Sequence, residues 1–157
     1  PVHRLCFQHR ESVQLSFPSG VSQADIQLTY AGTGPAPYSH VVLVSGILNL
    51  TQPCPASGSA PPTFTFAIQN TGNATAYPSI DTSKDNIGIN PWADIPSVTL
   101  DPPNPAVSTW LYPGETWTVT VAPRAGVHCD GTVYHVYVYI NNAQGTSETM
   151  TFTDTFR

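Results

Sequence analysis

Charge is what this chain has least of. Asp, Glu, Lys and Arg make up 10% of its 157 residues, far below the proportion of about a quarter usual in soluble domains. Lys84 is the only lysine, and Arg4, Arg10, Arg124 and Arg157 supply the remaining positive charge. No basic stripe is present to neutralise phosphates, which argues against nucleic acid as a partner. The net charge of −5 is spread out, without the acidic run that would capture a cationic partner. Long apolar runs are missing too. Nothing approaches the ~20 apolar residues that cross a bilayer, so no membrane span is expected. The N-terminus has neither an initiating Met nor the basic-then-apolar pattern of a signal peptide, and the simplest expectation is a mature chain whose export signal has been removed. Catalytic signatures are also lacking. Asp and Glu total 10 without forming a recognisable pair, and there is no Gly-x-Ser-x-Gly elbow or metalloprotease motif. The expectation is a protein that is not an enzyme and carries no cofactor.

What the chain has in quantity is hydroxyl and amide, chiefly Thr and Ser, on which its solubility must rest. That is the surface of many extracellular proteins, and an extracellular or cell-surface location is expected. Asn49-Leu50-Thr51 and Asn73-Ala74-Thr75 satisfy the N-glycosylation rule, making Asn49 and Asn73 candidate acceptors; the alternative is unmodified asparagines in turns. The 3 cysteines leave one over after a single internal bridge. Cys54 and Cys129 both sit in loop-like surroundings, and their pairing is the preferred one. Cys6 with Cys54, or three free thiols, remain open because sequence does not fix connectivity.

No window shows a helical stripe, whereas short segments of alternating or continuous apolar character recur between turn signals. Strands are predicted at 12–17, 24–30, 39–50, 63–69, 97–100, 107–111, 116–121, 132–141 and 146–156. The intervening Pro18-Ser19-Gly20, Asn70-Thr71-Gly72-Asn73, Pro113-Gly114 and Asp130-Gly131 suit turns. The class is all-β, an Ig-like or jelly-roll sandwich with an extended N-terminal strand. At 157 residues one sandwich domain over 18–157 is expected, preceded by an arm over 1–17. Residues 75–96 carry less pattern and read as an elaborated loop or inserted hairpin. Val136, Val138 and Ile140 alternate with His135, Tyr137 and Tyr139, which suggests a central strand covered on both faces. Met150, Phe152 and Phe156 alternate with threonines and suit a hairpin with that strand.

The arm has the most distinctive pattern. Leu5, Phe7, Val13, Leu15 and Phe17 all fall on odd positions, and Arg4, Gln8, Arg10, Ser12, Gln14 and Ser16 on even ones. His9 and Glu11 interrupt the apolar face. An extended segment with one apolar edge of this length is more than a short strand of a compact domain needs, and predicts docking on something else, such as another copy of the chain.

The run Phe64-Thr65-Phe66-Ala67-Ile68-Gln69-Asn70-Thr71-Gly72, followed by Leu111-Tyr112-Pro113-Gly114-Glu115-Thr116-Trp117, resembles the Ig-like CARDB adhesion-type domains of bacterial and archaeal surface proteins. Those domains carry an N-T-G turn after one core strand and an L-x-P-G-E turn before another. The likeness covers the middle and latter half of the chain and implies a fold and a compartment, with an archaeal source preferred. In plan, a sandwich with a free alternating arm is similar to subunits of extracellular filaments and pili joined by donor-strand complementation.

Residues with possible chemistry have plainer readings beside them. His128, Cys129 and His135 contain two His and one Cys, the ligand types of a blue-copper site, but Met150 lies outside the usual loop after the Cys. No metal site is expected. Asp81, Asp85, Asp94 and Asp101, with Asn86 and Asn90, do not match the calcium-loop spacing and read as solvated. Trp92, Trp110, Trp117 and Tyr112 form either a carbohydrate platform or, with greater weight, core and interface packing. The leading expectation is a structural subunit of an extracellular filament or pilus, in which the arm is donated to a neighbouring subunit. Leu5, Phe7, Val13, Leu15 and Phe17 would be the interface of that homopolymer, which contacts other cells, surfaces or glycans. The alternatives are a monomeric secreted carbohydrate-binding or adhesion module and a viral jelly-roll structural protein.

Overall fold

A computed structural model describes residues 2–6, 12–16, 34–84, 89–101 and 110–157; for 2–6 and 12–16 it describes the backbone. The chain divides into two compact units, Pro1–Ala36 and Pro37–Arg157.

In the first unit, β1 (Val2–Cys6) and β2 (Ser12–Ser16) pair antiparallel, with Leu5 opposite Val13 and His3 opposite Leu15. The predicted single extended arm is therefore two strands of one ribbon. The single phase of alternation survives the reversal because the register sets odd positions against odd ones, and residues directly opposite in an antiparallel pair share a face. Phe7 and Phe17 lie outside the described residues, as does the predicted strand at 24–30.

The second unit contains β3 (Val41–Ser45), β4 (Asn49–Gln52), β5 (Phe64–Asn70), β6 (Tyr77–Asp81), β7 (Ala93–Asp101), β8 (Thr116–Pro123), β9 (Val133–Asn141) and β10 (Ser147–Phe156). They form two four-stranded sheets, ordered β3-β5-β8-β7 and β4-β10-β9-β6. With β3, β5, β6, β7, β8, β9 and β10 lettered A to G, this is the A-B-E-D over C-F-G order of an immunoglobulin-type sandwich, with β4 added parallel to β10. Of the two topologies left open by the sequence, the Ig-like one is found.

The predicted strand 39–50 breaks into β3 and β4, which belong to different sheets. The chain crosses between them at Gly46, whose φ of +113° suits glycine and where an added Cβ would sit 2.7 Å from Phe66 Cβ. The weakly patterned segment 75–96 contains β6 and the start of β7. β6 is a five-residue edge strand interrupted by Pro78, too short and too polar to show a period.

Alternation on each inner face builds the core. Phe66, Ile68, Trp117, Val119 and Val121 point in from one sheet, and Tyr134, Val136, Val138, Ile140, Phe152 and Phe156 from the other. Phe66 stacks on Phe152 with ring centroids 4.1 Å apart, joining the layers. Tyr134 lies near the start of β9, and its hydroxyl accepts a hydrogen bond from the His128 N–H at 2.7 Å. A buried tyrosine at this corner, bonded to backbone a few residues upstream, is the tyrosine corner of Ig-like sandwiches.

The two turn motifs singled out by sequence meet at one end of the sandwich. Asn70 is buried; its side-chain amide donates to the carbonyls of Ala74 at 2.7 Å and Leu111 at 2.9 Å. Its Oδ1 accepts the Gly72 N–H at 3.0 Å, and its backbone carbonyl accepts the Gly114 N–H at 2.8 Å. Glu115 Oε2 accepts the Tyr112 N–H at 2.7 Å and closes the Pro113-Gly114 turn. Gly72 admits no Cβ, because one would lie 2.5 Å from the Tyr38 carbonyl oxygen. These motifs are structural: each supplies hydrogen bonds to backbone left unpaired where strands end.

Candidate functional site

The outer face of the sheet β4-β10-β9-β6 carries a row of aromatic side chains. Inward positions of β9 are filled by Val136, Val138 and Ile140, so strict alternation turns His135, Tyr137 and Tyr139 outward, where they are half-buried. The His135 and Tyr137 rings stack at 5.4 Å, and those of Tyr137 and Tyr139 at 6.1 Å, each pair inclined by 14°. Offset stacking of this kind contributes roughly 0.5 to 1.5 kcal/mol per pair. Register places Thr149, Thr151 and Thr153 of β10 beside Tyr139, Tyr137 and His135 on one flank, and Ser79 and Asp81 of β6 beside Tyr139 and Tyr137 on the other. Sequence predicts both faces of this strand to be covered. The inner one is buried, and the outer one is half-buried, with its rings stacked on one another.

Lys84 closes one end of the row. Its ammonium donates to the Tyr139 hydroxyl at 3.0 Å and lies 4.9 Å and 5.3 Å from the Tyr137 and Tyr139 ring centroids. The hydrogen bond to Tyr139 raises the lysine pKa above its ordinary value. The Ser83 hydroxyl and N–H both donate to Asp81 Oδ1 at 2.7 Å and hold that carboxyl below the usual carboxylate range. The result is a surface of stacked rings, hydroxyls and one cation.

Trp92 and Trp117 are core residues, which removes two members of the proposed aromatic platform. The Trp92 indole N–H donates to the His135 carbonyl at 2.8 Å. Trp110 remains exposed, edge-to-face with Tyr77 at 5.8 Å and Tyr112 at 6.3 Å. Cys54 and Cys129 form a disulfide with Cα atoms 5.6 Å apart, so Cys129 is not a thiolate ligand beside His128. Among the described residues no group of three metal-ligating side chains is found. Asp94 is paired with Arg124, Oδ1 to Nη2 at 2.6 Å, while Asp85 and Asn86 lie outside the described residues.

Of the sequon asparagines, Asn49 is exposed on β4 and accepts from the Thr153 hydroxyl at 2.9 Å; Asn73 is exposed in the turn after β5 and accepts the Tyr38 N–H at 2.8 Å. Leu5, Val13 and Leu15 are placed on the β1–β2 ribbon. The stacked row on β9 is what sequence reasoning missed as a surface. Its alternation was visible, but whether a second layer covered it was not.

No family model matches the chain, and no curated protein does. Among solved structures, the chain is similar to the Vibrio cholerae VesB protease at 14% identity and a TM-score of 0.49, with 85% of this chain and 34% of that chain covered. The chain thus spans about a third of that protein's length.

Proposed function

We propose that this protein is an extracellular structural module that works by contact, assembling with copies of itself as the subunit of a filament or pilus. The observation that carries the reading is the N-terminal segment. Residues 1–36 cluster as one compact unit and residues 37–157 as another, and the second has every strand of the immunoglobulin-type order. A ribbon with an odd-on-odd register, bearing Leu5, Val13 and Leu15, is not among the strands of that order. In this reading it is exchanged between copies by strand addition, with main-chain hydrogen bonds giving affinity and alternate side chains giving specificity. The disulfide and the hydroxyl-rich, charge-poor surface support an oxidising, extracellular setting. Each apolar side chain buried in such a joint contributes ~1.5 to 3 kcal/mol.

The stacked His135–Tyr137–Tyr139 row favours a second reading, in which the module adheres to a glycan or another polar surface. One experiment separates the two. The protein with and without residues 1–17 is viewed by negative-stain microscopy, and both forms are applied to a glycan array. Filaments seen only with the intact segment support assembly. Folded monomers in both forms, with glycan capture that Tyr137→Ala abolishes, support adhesion and sink the filament reading.

A further inference from the structure

The two lateral edges of the sandwich are built differently. One edge consists of β6 and β7, which carry Pro78 and Asp81, and Asp94, Pro96 and Asp101. Proline and charge on an edge strand are the devices by which sheets avoid pairing with strangers. The other edge consists of β3, the crossover at Gly46 and β4, and from Ile26 to Ile80 the chain contains no Asp, Glu, Lys or Arg. A bulge between Leu43 and Ser45 turns the intervening residue out of the ladder, but that residue is Val44, 48% exposed. Beside it stand Ile47, 62% exposed, and Leu48, 43% exposed. Next to these lies an open groove of about 300 Å³, lined by Ser45, Gly46, Ile47, Leu50, Phe64 and Thr65.

We infer that this edge is a self-docking surface whose occupant is the same edge of a second copy, related by a two-fold axis. Three observations select that occupant. First, a two-fold contact sets a patch against itself, so any charge within it would face its own copy; an edge without charge is what this contact needs. Second, the exposed Ile47 is itself part of the groove's lining, so a two-fold contact there sets the isoleucine of each copy against the groove of the other. Third, the opposite edge of the same molecule is protected, so the bare edge is not a general property of the sequence. Apolar side chains at the centre with Ser45, Asn49 and Thr51 around them have the composition of an interface core and rim.

The inference deepens the assembly reading and rests on it only in part: it names a joint between two copies, whereas the N-terminal ribbon links a copy to the next. Sedimentation velocity on the full-length chain over a wide concentration range tests it, with circular dichroism confirming that each variant is folded. The variants are Val44→Lys and Ile47→Lys on the bare edge, Thr99→Lys on the protected edge, and Leu5→Glu with Val13→Glu in the ribbon. The expected result is a dimer weakened at least tenfold by either bare-edge lysine, unchanged by Thr99→Lys, and retained when the ribbon is altered. Bare-edge variants that associate like the unaltered chain overturn it. So does an unaltered chain that stays monomeric at every concentration. Loss of higher assembly only in the ribbon variant, with dimers intact, supports both joints. Dimers intact with no higher assembly in any variant leave the edge standing and remove the ribbon.

Discussion

Asp154 is fully buried on β10, where the Gln52 amide donates to Oδ2 at 2.7 Å and Oδ1 has no hydrogen-bond partner among the described residues. Burial pushes its carboxyl up to about 6, against the pull of the Gln52 hydrogen bond. The folded protein therefore holds a proton that the unfolded chain, titrating near 3.8, has already released. Stability contributed by this group is full below about pH 4 and is lost as pH rises toward 6. The loss is on the order of 3 kcal/mol at neutral pH, since each pKa unit is about 1.4 kcal/mol. Asp81, Asp94 and Asp130 are shifted the other way by hydrogen bonds, so only a comparison with a variant isolates Asp154. Asp154→Asn is expected to raise the urea midpoint at pH 7 and to have no advantage at pH 4. Equal midpoints at both values would show that the orphaned oxygen costs nothing.

At the scale of elements, the disulfide ties the loop after β4 to the loop before β9, near the backbone bond from the Cys54 N–H to the Arg157 carbonyl at 3.0 Å. It spans a sequence separation of 75 residues, and closing a loop of that length restricts the unfolded chain by about 4 kcal/mol in the chain-entropy account. Replacing both cysteines, Cys54→Ser with Cys129→Ser, should lower stability by that order in a denaturant titration. A drop below about 1 kcal/mol would mean that the two loops are already fixed by packing. Much at this scale was legible beforehand. β5, β8, β9 and β10 fall within a residue or two of their predicted limits because each alternates over a long run, the strongest signal a strand gives. The pairing of Cys54 with Cys129 agrees with their loop settings. β6 and the early part of β7 were hidden because edge strands carrying proline and aspartate look like loops. The break at Gly46 was hidden because Ser45-Gly46 is a short interruption after which apolar residues resume at once with Ile47 and Leu48, and only the close approach of Phe66 explains the crossover. At the candidate surface, the alternation of His135, Tyr137 and Tyr139 was readable; the Lys84 cap depends on β6 and β9 lying side by side, which no local pattern encodes.

At the scale of the molecule, a sandwich complete in itself is preceded by a ribbon it does not require, and it exposes one bare edge opposite a guarded one. In the proposed reading both features serve contact between surfaces. The stretch from Ile26 to Ile80, which includes the bare edge, carries none of the charges that would oppose association. The most direct test of this account is the mass of the intact chain in solution, measured by light scattering over a hundredfold range of concentration at neutral pH. Self-assembly predicts a mass that climbs above the 16.8 kDa of one chain as concentration rises. A folded protein fixed at 16.8 kDa throughout would contradict it.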